Sequence, residues 1–356
     1  MPQIAIIQEQ RLPVPTAEKQ ITFLNHIQQL IRLAETTSTY KFALLLSITR
    51  LAIEQGEASG NTLTLKIGDI AEKFIELYWN QARPFHFKEA EAFILKQNNG
   101  SAQAAVISHI AKEQQKYKTI SSLRSNPKSW NSLNNKIVKV IKDNPLIRLQ
   151  TINRANVEFL YRLEDCTNDA LTLLPDVMFC LRSFNIIIEE LCQKAWVDCV
   201  RLNKENSFLL DSLPDLDTFL FEANRKQLIS IQPLLIELQE NRCFYCGKNI
   251  RDDKHAVDHF IPWSLYQVDT AHNFVLADNT CNTQKSNLLA TERYRQLWLE
   301  RNFIHNAFIT QEMSRFGFIA DKNRSERVAD WAYGIISKTD PENGFWMPKN
   351  STIQDI

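Results

Sequence analysis

The chain has 356 residues, 44% apolar and 23% charged, with 41 basic and 41 acidic side chains that cancel. These proportions exclude a disordered or low-complexity chain and leave room for about two domains with real cores. No uninterrupted apolar run exceeds that of Phe42 to Leu46, far below the ~20 residues that span a bilayer, and the start lacks a basic segment followed by an apolar one. The expected setting is therefore the cytoplasm, with no membrane partner.

In chain order, an extended arm is predicted before Pro15, followed by a helix on which Ile21, Leu24, Ile27, Leu30 and Ile31 share a face. A second helix runs from Tyr40 to Glu57. Thr62 to Ile67 alternates as a short strand does, and Ile70, Phe74, Ile75 and Tyr78 return to helical spacing. Several helices are expected from Phe87 to Arg154, broken at Asn98-Asn99-Gly100 and at Asn126-Pro127. Phe159 to Tyr161 and Leu171 to Leu173, around a polar stretch with Asp165 and Asn168, read as a small hairpin. Pro175 precedes one long helix to about Val200, and Pro214 to Leu238 is a helical connection.

Charge is uneven although it balances. Between Lys112 and Arg154 ten basic residues face two acidic ones, a net +8, and the segment carries Tyr117 and Trp130. Lys136, Lys139 and Lys142 are candidate phosphate contacts, with the aromatic rings as stacking partners; the alternative is a solvated helix face. Seven cysteines imply no disulfide framework in a reducing compartment, and Cys166, Cys180, Cys192 and Cys199 read as small buried residues.

The segment that carries chemistry is Cys243-Phe-Tyr-Cys246, Val257-Asp258-His259-Phe260-Ile261-Pro262, Asn273-Phe274-Val275-Leu276 and Cys281-Asn282-Thr283-Gln284-Lys285. Val257 to Phe260 and Phe274 to Ala277 suit two strands, and Thr280 to Leu289 the start of a helix; a hairpin packed on that helix would bring Asp258 and Asn282 together. Phosphodiester hydrolysis needs a water, a base and positive charge at the phosphoryl group. An imidazole can exchange a proton near neutral pH, which makes His259 the candidate to accept the proton. Asp258 and Asn282 offer hard oxygens suited to Mg²⁺ or Mn²⁺. Cys243 and Cys246 have the spacing with which two thiolates share a Zn²⁺.

This ordered set, about fifty residues long, resembles the HNH endonuclease family, whose fold is called ββα-metal. The resemblance implies His259 as general base, Asp258 and Asn282 as metal ligands, and Asn273 as the central Asn that holds the loop and orients the base. Many members carry His where Asn282 stands, and an amide there favours Mg²⁺. Lys285, one turn beyond Asn282, would meet a phosphate. In many relatives a second Cys pair completes a structural zinc site; here Cys281 fits the last position and Asp278 stands where its partner would be, either as fourth ligand or as the cap of the helix. His255 and His272 fall at no family position.

The expected fold is mainly α with a small α+β module: a helical domain over residues 1–240 for recognition or regulation, an HNH nuclease module over 241–292, and a helical extension over 293–356 packed on the nuclease. The expected function is metal-dependent hydrolysis of nucleic acid, DNA before RNA, in a setting such as defence against foreign DNA, by a homodimer where both strands are cut. The competing expectation is a non-catalytic or partner-gated nucleic-acid-binding protein.

Overall fold

A computed structural model describes residues 12–33, 38–85, 93–100, 102–167, 169–206, 216–221 and 225–349. The predicted N-terminal arm lies mostly outside them, as do Asn168 and Pro214.

Where apolar residues recur at three and four positions the chain is helical. α1 (Ala17–Leu33) buries Phe23, Ile27 and Leu30, whereas Ile21 of the predicted face is exposed. α2 (Tyr40–Gln55) is apolar on almost every side, as a helix through the middle of a core must be. β1 (Leu63–Lys66) leads directly into α3 (Ile67–Trp79), on which Ile70, Phe74, Ile75 and Tyr78 are inaccessible to solvent. α4 (Ala105–Gln114), α5 (Ile120–Arg124), α6 (Pro127–Asp143) and α7 (Pro145–Arg148) follow. α6 starts as its sequence dictates: Asn126 accepts from the Ser129 N–H at 3.1 Å, and Pro127 fills the first position, where its missing N–H is not needed.

Two local readings are corrected by long-range packing. Beyond the short pair β2 (Thr151–Ile152) and β3 (Ala155–Asn156), β4 (Ala170–Leu173) does not form a hairpin with Phe159 to Tyr161. It pairs antiparallel with β1, Leu171 opposite Leu65, and Tyr161 contributes a single bridge to Leu173. The long helix from Pro175 is two helices, α8 (Val177–Ser183) and α9 (Asn185–Arg201), broken at Phe184. There Asn185 turns its amide to the Leu265 carbonyl at 3.0 Å, a contact a continuous amphipathic pattern does not reveal.

α10 (Leu216–Phe221), α11 (Arg225–Ser230) and α12 (Gln232–Leu238) lead into the C-terminal part. It contains an antiparallel pair, β5 (His255–His259) and β6 (Phe274–Asp278), followed at once by α13 (Asn279–Lys285). β7 (Leu289–Ala290), α14 (Glu292–Ile304), α15 (Asn306–Arg315), α16 (Lys322–Thr339) and β8 (Phe345–Trp346) complete it, β8 lying parallel to β7. Buried residues form one cluster from Phe23 to Leu220 and a second from Ile231 to Tyr333, which α2 enters with Ile53. Trp298 of α14 stacks on Phe260 at 5.0 Å between centroids, so the C-terminal helices share the hairpin's core. Across the boundary, Arg324 of α16 reaches Glu54 and Glu76 of the helical body.

Candidate active site

Asp258 and His259 are the last two residues of β5, opposite Val275 and Phe274. Neighbouring strand residues point to opposite faces, so the two side chains have separate surroundings. Asp258 faces inward. Its Oδ2 receives Lys285 Nζ at 3.1 Å and the hydroxyl of Tyr245, while among the described residues nothing donates to Oδ1. Burial, and then the charge of Asp258, hold the Tyr245 pKa well above its ordinary value, so the phenol keeps the proton it donates.

Lys285 departs from its expected role. It is 0% exposed, and its ammonium is bound by Asp258 and by the His259 carbonyl oxygen at 2.9 Å. It therefore cannot meet a phosphate from an exposed helix face. It braces the end of β5 and neutralises one side of the carboxylate. Asn282, three residues before it and hence on the same side of α13, is half-buried, and among the described residues its side chain makes no hydrogen bond.

His259 Nε2 lies 2.6 Å from Asp269 Oδ1, and both side chains are mostly buried. A carboxylate can only accept here, so Nε2 carries a proton, and in the neutral ring the lone pair is on Nδ1. Phe274 and Trp263 flank the ring, at 5.0 and 5.6 Å between centroids. Asp269 was not selected from the sequence. It is one carboxylate in a loop, and no spacing rule separates it from its neighbours.

Asn273 makes two hydrogen bonds to the backbone of one residue: the Ile261 N–H donates to its Oδ1 at 2.7 Å, and its Nδ2 donates to the Ile261 oxygen at 2.9 Å. This closes the loop that begins immediately after His259. Beneath it, the His272 carbonyl accepts from Trp298 Nε1 at 2.9 Å and from Arg301 at 2.8 Å, so α14 fixes the same turn. Burial without a carboxylate partner lowers the Arg301 pKa to about 9. The His272 ring, fully buried with Nε2 at 2.9 Å from Asn306 Oδ1, is pushed down to about 4, chiefly by desolvation. His255 instead pairs with Asn241.

The Sγ atoms of Cys243, Cys246 and Cys281 lie within 4.8 Å of one another, all buried. Sulfurs around one tetrahedral zinc are ~3.8 Å apart, so the three could hold a metal ion. Cys243 is suited to it: the neighbouring Cys281 thiol, and then the backbone amides of Asp278, Cys246 and Tyr245, pull its pKa below the usual thiol value despite burial. Asp278 does not join the thiols with its carboxylate. That group caps α13, accepting from the Thr280 N–H at 2.8 Å.

The basic segment lies mainly on α4 to α7. α6 buries Leu133, Ile137 and Ile141 and turns Lys139 to solvent, with Lys136 and Lys142 half-buried. None of these three lysines has an ion-pair partner among the described residues. His109 of α4 is held below its usual pKa by burial and then by the charges of Lys136 and Lys112, so these groups share one positive face. Trp130 is half-buried under the Arg124 guanidinium, 4.6 Å from its ring centre, and Tyr117 bonds Ser129 at 2.9 Å.

A two-stranded hairpin and helix presenting Asp, His and two Asn in this order define an HNH module, and residues 243–291 match the HNH endonuclease family. The chain as a whole belongs to the family described as a domain of unknown function (DUF8808), which matches residues 20–212, more than half its length. No curated protein and no solved structure matches it. Among the described residues no helix is long and apolar enough to cross a membrane.

Proposed function

We propose that the protein is a metal-dependent endonuclease that hydrolyses phosphodiester bonds of nucleic acid, DNA before RNA, in a ββα-metal fold. One observation carries this reading: among the described residues His259 has its Nε2 held by Asp269 and its Nδ1 unengaged, and the preceding residue of the same strand, Asp258, keeps one carboxylate oxygen unengaged. Nδ1 would take the proton of the attacking water as Asp269 stabilises the imidazolium. Asn273 is a positioning residue that holds the turn after His259.

The donor set fits a hard divalent cation. Oδ1 of Asp258 and the side-chain oxygen of Asn282 would hold Mg²⁺ or Mn²⁺. Such a cation supplies positive charge to the phosphate and leaving oxygen. Cys243, Cys246 and Cys281 would hold a structural Zn²⁺ with a fourth ligand other than Asp278. Lys136, Lys139 and Lys142 would follow the phosphate backbone. A cut in both strands would use two copies of the chain, and defence against foreign DNA is the setting proposed.

The partner-gated reading has its own support, because the helical body grips the loop that carries Asp269. Asn185 donates to the Leu265 oxygen, Gln193 Nε2 donates to Gln267 at 2.7 Å, and the Tyr266 hydroxyl donates to Glu54. A shift of the body would move the base's partner.

The test is incubation of supercoiled plasmid with purified protein, with Mg²⁺ or Mn²⁺ supplied or withheld. Nicking or linearisation that requires the cation is expected. Folded protein that leaves the plasmid intact, alone and with cell lysate added, would contradict both readings.

A further inference from the structure

A cavity of about 160 Å³ lies where the helical body meets the nuclease module, many times the ~10–15 Å³ that one water needs. Trp79 at the end of α3 and Arg83 in the turn beyond it line one side, Thr119 ahead of α5 another, and Trp263, Asp269 and Phe318 the nuclease side. Asp269 thus faces the cavity while bonding His259, and the Trp263 ring is 5.6 Å from the imidazole. Whatever fills the cavity is one side chain away from the proposed base.

The chemistry of the walls selects the occupant. Four aromatic side chains line it: Trp263 and Phe221 are half-buried and present ring surface to it, whereas Trp79 and Phe318 are buried in its walls. Of the charged groups around it, Arg50 is tied to Glu189, Glu76 to Arg324, and Asp269 to His259. Arg83 has no partner among the described residues. It reaches solvent, yet the surrounding walls desolvate it enough to hold its pKa below the usual value, with no opposing carboxylate. The Trp79 indole N–H is buried and likewise lacks an acceptor among the described residues. A planar ring linked to an anion suits the half-buried rings and the unpartnered guanidinium.

We propose that this cavity seats one nucleotide of the substrate strand next to the scissile phosphate, its base against the aromatic walls and its phosphate on Arg83. A base enclosed on several sides cannot be paired, so the preferred substrate is single-stranded nucleic acid or a duplex with a displaced base. The assignment rests on the nuclease reading.

It is tested by fluorescence anisotropy with a labelled single-stranded oligodeoxynucleotide, its blunt duplex and a free deoxynucleoside monophosphate as competitor, without added divalent metal. The single strand is expected to bind at least ~10-fold more tightly than the duplex. Arg83→Gln and Trp263→Leu are each expected to weaken it about 10-fold, and the mononucleotide to compete poorly. Equal affinity for strand and duplex, or binding unchanged in both variants, overturns the proposal. A mononucleotide that competes as well as the strand overturns it in favour of a free-nucleotide site. Failure of plasmid cleavage, alone and with cell lysate added, while the single strand still binds would overturn the nuclease reading and leave the cavity as a nucleotide-binding site.

Discussion

Two buried carboxylates, one in the hairpin and one in the helical body, are held in opposite ways. The groups that approach Asp258 converge on a single oxygen and leave the other unengaged. Glu76 has both oxygens occupied: Arg324 donates to each, at 2.9 and 3.1 Å, Arg124 adds a contact at 2.9 Å and Lys73 one at 3.5 Å. Burial alone would raise the Glu76 pKa, but the three cations outweigh it and hold the group well below the usual carboxylate range. A saturated carboxylate ties two parts of a molecule together, whereas Asp258, adjacent in the strand to an oriented imidazole, keeps one acceptor oxygen to spare among the described residues. The distinction separates the structural ionic cluster from the chemical one although both are buried and close in type.

The largest effect should come from opening the saturated cluster. Glu76→Gln leaves Arg324 and Lys73 buried with reduced compensation, and the half-buried Arg124 with one partner fewer, and is expected to cost about 3–5 kcal/mol in urea unfolding. A loss below about 1 kcal/mol would mean that the cluster is solvated and the comparison fails.

Next is the pH dependence set by His272. Its pKa is depressed to about 4 in the folded state from 6.5, so the unfolded chain binds a proton between these values that the native protein does not. This contribution to stability is complete above about pH 6.5 and is lost as pH falls toward 4, in all about 3 kcal/mol. His272→Gln, which can still donate toward Asn306, should flatten that part of the stability profile; an unchanged profile would place the acid sensitivity elsewhere.

Asp269→Asn should lower kcat by about 10²-fold, roughly 2.7 kcal/mol, with little change in KM, because an amide no longer fixes the tautomer or stabilises the imidazolium. Partial rescue by Asp269→Glu would mark a positioning role, and an unaltered pH–rate profile in the Asn variant would contradict it. The smallest effect is expected from Lys136→Ala, Lys139→Ala and Lys142→Ala, each reducing the slope of log affinity against log salt by about 0.7 on a single strand or about 0.9 on a duplex. A slope unchanged in the triple variant would return this face to simple solvation.

What could be read from sequence is what is local. Asp258, His259, Asn273 and Asn282 fall within one hairpin and one helix, and the predicted strands pair in register, Val257 with Leu276 and Asp258 with Val275. Lys285 was misplaced because a lysine in a helix is ordinarily solvated; only the carboxylate across the turn explains its burial. Asp269, the β1–β4 pairing and the ties of Arg324 to Glu54 and Glu76 depend on contacts between distant segments. Periodicity carries no trace of such contacts. The break at Phe184 is of the same kind, set by what Asn185 meets in the other half of the molecule.

The central claim is that His259 is the base of a nuclease. The most direct measurement is plasmid cleavage by His259→Ala beside the unaltered protein in the same Mg²⁺ buffer, with the melting temperature of both recorded. At least a 10²-fold loss of cleavage with an unchanged melting temperature is predicted. Cleavage that survives in a folded His259→Ala protein would contradict the account.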